Sequence, residues 1–159
     1  MNVDGLRVAG YSDPFERRAR EGYRNRGSHA TARQKRAFAK WLRPLRGSVD
    51  LVMTHEPALT ELAVEELRAD PPARPLAILT GHTHVPSLLT SENLLELNGG
   101  TVGGGGTGNL DKNQPFGLAV MVRRRASRFV PLLADVVEID AVSGSAKAER
   151  TRLDLGAGG

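Results

Sequence analysis

The sequence predicts a layered α/β fold, with mixed sheets flanked by helices. Two short apolar segments, DLVMT at 50–54 and LAILT at 76–80, read as buried strands, and each follows a stretch of helical spacing. After Pro86 come further strand-like segments separated by short turns. Helices alternating with apolar strands, then strands in succession, fit a layered arrangement built on one core.

Each element has its own justification. GLRVAG at 5–10 reads as an opening strand. Residues 11–30 are rich in arginine and poor in apolar side chains, so they read as a long mobile loop within the domain. Thr31 with Gln34 three residues on fits a capping box. Phe38, Trp41, Leu42 and Leu45 follow as one helical stripe, and Pro44 and Gly47 close that helix. DLVMT runs directly into His55. Pro57 suits the first turn of a second helix, whose apolar face is Leu59, Leu62, Ala63 and Leu67 and which Pro71 and Pro72 end. LAILT runs into Gly81-His82-Thr83-His84. The segments SLLT, LLELN, GLAVMV, FVPLLADVVEI and KAERTRLDL then read as strands, with a hairpin turn at Ser91-Glu92-Asn93. They predict an antiparallel or mixed end to the sheet. Residues 1–155 read as one domain and 156–159 as a frayed tail.

Composition narrows the function classes. At 159 residues the chain can build a real core. With aromatics at 4%, that core must be Leu, Val, Ile and Ala. The absence of cysteine excludes disulfides and thiolate metal or redox sites, and fits a reducing, cytoplasmic setting. No apolar run approaches the roughly 20 residues of a membrane span. The first ten residues lack the basic start and apolar stretch of a signal peptide. Net charge is +4 and the isoelectric point about 10, with many of the cations between Arg17 and Arg46. Such a surface attracts phosphates and polyanions. These cations are not interleaved with the aromatics that base stacking needs, so nucleic-acid binding is the weaker reading and a solvated face the ordinary one.

The histidines carry the chemistry. Of four, three lie just past a buried strand: His55 after DLVMT, His82 and His84 after LAILT. The carboxyl ends of strands in an α/β sheet gather at the edge where ligands bind. Neighbouring strands lie about 4.8 Å apart, so His55 comes within reach of a metal held by the other pair. Imidazole is a common metal ligand. Gly81 allows a sharp turn and leaves room for a neighbour. His29, in the arginine-rich stretch, reads as an ordinary surface residue.

THEP at 54–57, followed after a helix and a strand by GHTH at 81–84, resembles the second half of a calcineurin-like metallophosphoesterase. GYSDP at 10–14 and NGGTVGGGG at 98–106 are similar to that family as well, and the resemblance spans residues 8–122. It implies two packed mixed sheets flanked by helices. It also implies two divalent metals (Mn, Fe or Zn) that activate a water to attack a phosphoester substrate. His55 and His82 would ligate one metal and His84 the other.

The family's first half carries D-x-H, G-D-x-x-D and G-N-H-[DE], and none of these occurs here. The resemblance therefore implies a C-terminal half, without the bridging aspartate, the asparagine ligand or the histidine that protonates the leaving group. Two dications about 3.5–4 Å apart repel by on the order of 17 kcal/mol at an effective dielectric of about 20. Carboxylates must offset that. Asp13 follows the first strand but reads as an Asp-Pro turn. Glu56 adjoins His55 but should point away from it, and Asp111 reads as loop. The expectation is at most one weakly held metal and little or no hydrolysis by this chain alone. The partners implied are the missing N-terminal half or a second copy covering an exposed apolar sheet face. The alternative is a non-catalytic domain that keeps one metal or serves as an interaction module.

Gly103, Gly105 and Gly108 satisfy G-x-G-x-x-G, but no helix follows, so a dinucleotide site is excluded. That glycine run reads as a connector or as backbone amides facing a phosphate. No G-x-S-x-G occurs.

Overall fold

The computed structural model describes residues 1–13, 30–100 and 115–155. Four strands lie side by side in parallel: β2 (Leu6–Gly10), β3 (Leu51–Met53), β4 (Leu76–Thr80) and β6 (Leu94–Asn98). An antiparallel strand closes each edge, β1 (Asn2–Val3) beside β2 and β5 (Ser87–Ser91) beside β6. Sheet order is β1-β2-β3-β4-β6-β5. A second sheet, β7 (Phe116–Arg124), β8 (Val130–Ile139) and β9 (Ala146–Arg152), is antiparallel throughout.

The helices form where the sequence predicts them. Helix α1 (Ala32–Leu42) opens with the Thr31–Gln34 capping box, in which each side chain meets the other residue's backbone N–H. Pro57 starts a 3-10 turn, Pro57–Leu59, and the regular helix α2 (Glu61–Ala69) follows it. Phe38, Leu42, Leu59, Ala63 and Leu67 pack on one face of the larger sheet against Val52, Leu76, Ile78 and Leu94. The opposite face, carrying Val8, Leu51, Ala77 and Leu95, meets Phe129, Ala134 and Leu153. This is the alternation a two-sided buried strand requires.

The later strands divide: β5 and β6 give the first sheet its mixed edge, and β7–β9 form a second sheet on its face, the two-sheet packing that the resemblance implies, although this second sheet is antiparallel throughout and not mixed. That stacking buries Val8, Leu51, Ala77 and Leu95 of the first sheet. The cations of α1 are also less available than their number implies. Lys35, Arg43 and Arg46 pair with Glu61, Glu66 and Asp70 of α2 and its C-terminal end. Most of the 11–30 stretch, including His29, lies outside the described residues, as do Asp111, the glycine run from 101 and the tail 156–159.

Where β2 and β3 begin, Asp50 is buried and accepts from the backbone N–H of Arg7 at 2.9 Å and its Nε at 3.0 Å. Its own N–H donates to the Arg7 carbonyl at 2.8 Å. Burial pushes the Asp50 carboxyl up, but the Arg7 side chain and backbone outweigh it and hold the group below its ordinary value. A carboxyl so depressed contributes stability that is fully present above its unfolded value, about 4, and is lost as pH falls through the folded one. Breaking a fully buried pair costs roughly 3–5 kcal/mol, and Arg7 is partly exposed. Asp50→Asn should therefore lower stability by about 2 kcal/mol at pH 7, with the gap to the parent chain closing in acid. Urea denaturation at a series of pH values measures both.

Candidate metal centre

The parallel ladder between β3 and β4 pairs Met53 with Leu79 and continues past both strand ends. Thr54 N–H donates to the Leu79 carbonyl at 3.1 Å, and Gly81 N–H to the His55 carbonyl at 3.0 Å. His55 is thereby fixed beside the start of the GHTH loop. A Cβ at Gly81 would sit 3.3 Å from His55 Nδ1, so the glycine leaves room for that ring as the sequence implied. The sharp turn is made elsewhere. Left-handed backbone falls on the histidines themselves, with φ 62° at His82 and 61° at His84.

That loop is held from two sides. Asn98, buried at the end of β6, donates through Nδ2 to the Gly81 carbonyl at 2.8 Å and to Thr83 Oγ1 at 2.9 Å. Its Oδ1 accepts from Gly100 N–H at 3.0 Å. From the second sheet, Gly117 lies so close to Pro86 that a Cβ there would come within 2.5 Å of the proline ring. Both residues were missed as positioning elements. A buried strand ending in Asn-Gly-Gly, next to a loop with free backbone groups, was the available signal for Asn98.

The result brings two of the three predicted histidines together. His82 Nδ1 lies 3.3 Å from His55 Nε2, with the rings nearly perpendicular. Two nitrogens each about 2.0–2.1 Å from one tetrahedral ion would stand roughly 3.3–3.4 Å apart, so the spacing fits two ligands of a single cation. His84, half-buried, follows two residues on in the same loop. Among the described residues, no group of three or more His, Asp or Glu side chains is arranged to hold an ion.

Glu56 differs from expectation. It is 2% exposed, its Oε1 accepts from Ala58 N–H at 2.9 Å, and its Oε2 lies 3.5 Å from His82 Nε2. It meets His82, a neighbour the sequence reading did not give it; β3 ends at Met53, so strand alternation no longer governs residues 55 and 56. A cleft of about 390 Å³ opens beside His55, lined also by Tyr11, Asp13, Thr54 and Thr80. Asp13 is buried there, and Thr54 Oγ1 is buried with no hydrogen-bond partner among the described residues. Tyr11 anchors this wall by packing on Phe38 and Trp41, each with ring centroids 5.0 Å away.

A side chain in the left-handed region is strained by roughly 1–2 kcal/mol, whereas glycine is not. His84→Gly should therefore be more stable than His84→Ala by about 1 kcal/mol, both having lost the imidazole. Thermal melts of the two variants side by side test this.

No protein-family model and no curated protein matches the chain. Among solved structures, wild-type Vps29 of Entamoeba histolytica complexed with Zn²⁺ aligns over 91% of this chain and 98% of its own, at 14% identity and TM-score 0.37. A single mutant of the same Entamoeba protein aligns over 92% and 98%, at the same identity and score. A predicted phosphoesterase of Streptococcus pneumoniae TIGR4 aligns over 92% and 98%, at 13% identity and TM-score 0.27.

Proposed function

We propose that this chain carries the histidine side of a metal-dependent phosphoesterase centre and holds one divalent cation between His55 and His82. The observation that carries the reading is the 3.3 Å approach of His82 Nδ1 to His55 Nε2 at the carboxyl ends of two adjacent parallel strands. The sequence resemblance of THEP and GHTH to the calcineurin-like family supports the phosphoester substrate class. A bound Mn, Fe or Zn ion would supply Lewis-acid polarisation of a phosphoester oxygen and activation of water. The chain's own residues hold and orient: Asn98 fixes the loop carbonyl and Thr83, Gly81 admits the His55 ring, and the cleft beside Asp13 and Thr54 accommodates part of the substrate. His84 would serve a second ion once further ligands are supplied.

Among the described residues no group of three or more His, Asp or Glu side chains is arranged to hold an ion. Glu56 is engaged by Ala58 N–H and lies 3.5 Å from His82. On this reading the isolated chain binds a single ion and turns over little phosphoester. Titration with Zn²⁺ or Mn²⁺, alongside a generic phosphodiester assay, should give one ion per chain and near-background hydrolysis. His55→Ala and His82→Ala should each weaken binding at least tenfold. Two tightly held ions, or binding that survives both substitutions, would overturn the reading.

A further inference from the structure

We infer that Glu56 is a positioning residue for this centre, holding His82 by its Nε2–H so that Nδ1 is presented to the cation; the inference rests on the reading just given. The argument starts from burial. A carboxylate that is 2% exposed must have its oxygens partnered inside the protein. Oε1 is met by Ala58 N–H at 2.9 Å. For Oε2, the one ion-pair contact among the described residues is His82 Nε2 at 3.5 Å. A negative oxygen facing Nε2 favours the proton on that nitrogen. The lone pair is then on Nδ1, the atom 3.3 Å from His55 Nε2.

Backbone geometry agrees. His82 occupies φ 62°, where a residue other than glycine is strained. The ring has a neighbour at each nitrogen, with His55 Nε2 3.3 Å from Nδ1 and Glu56 Oε2 3.5 Å from Nε2. Glu56 is itself fixed as the cap of the 3-10 turn, with Pro57 locking the backbone that follows. The strand end, the cap and the loop thus form one relay, from Ala58 N–H through Glu56 to His82. Carboxylates placed behind a ligating imidazole orient it and raise its basicity, and their loss typically weakens metal affinity about 10–100-fold.

The test compares the full chain with Glu56→Gln, which keeps an oxygen for Ala58 N–H but removes the charge. Zinc affinity is measured by chelator competition, in the parent and in a His82→Ala background. The metal-free parent is examined by NMR for an exchange-protected Hε2 resonance of His82. The expected results are about tenfold weaker zinc binding in Glu56→Gln, no further loss when His82 is already Ala, and a protected Hε2 signal in the parent. Unchanged affinity, or the same loss in the His82→Ala background, would overturn the inference. If the parent fails to bind zinc, the reading of the centre fails, yet the resonance still decides Glu56: its absence from the metal-free parent contradicts the pairing. That arm needs no variant, so a Glu56→Gln chain that does not fold leaves the question decidable.

Discussion

The parallel pairing of β3 with β4 is the constraint on which the site depends. Its hydrogen bonds do not stop at the strand ends but run on to Thr54 and to the His55–Gly81 pair. Two loops from distant parts of the chain are thereby held in register. With Gly81 lacking a side chain, the His55 ring occupies the space beside it. Shift one strand by a residue and its side chains change face, separating the imidazoles and turning helix-packed residues such as Val52 toward the second sheet. The same packing that makes the core therefore fixes the candidate ligands.

The rest of the molecule supports this ladder from both faces. Helices α1 and α2 cover one side with Phe38, Leu42, Leu59 and Leu67, and the second sheet covers the other with Phe129 and Ala134. Two contacts secure the loop itself: Asn98 from the end of β6 in the same sheet, and Gly117 of β7, in the second sheet, against Pro86. The ion pairs between α1 and α2 are surface features of modest energetic weight. Their main consequence is to neutralise cations that would otherwise suggest a polyanion-binding face.

Much of this was legible in the sequence where the signal was local. The capping box at Thr31 and Gln34, the strand at Leu76–Thr80 and, except that Ser91 still belongs to β5, the turn at Ser91-Glu92-Asn93 depend on neighbouring residues, and each stands where the pattern put it. So does the meeting of His55 with His82, because adjacent buried strands ending in histidine leave few alternatives. What was not legible required knowing where regularity stops. Glu56 was expected to point away because strand alternation was carried one residue too far. The turn attributed to Gly81 belongs to His82 and His84, whose left-handed backbone histidine's modest enrichment there only weakly announces. The separation of β7–β9 into their own sheet follows from the family resemblance and not from the strand patterns, because an alternating strand does not declare which edge or face receives it.

The central claim is that the imidazoles of His55 and His82 share one cation. Crystals of the chain grown with zinc, measured at the zinc absorption edge, test it directly. The account predicts an anomalous peak about 2.1 Å from both His55 Nε2 and His82 Nδ1, with the Glu56 carboxylate behind His82. A map with no peak there, the two rings bonded only to each other and zinc bound elsewhere or nowhere, would contradict it.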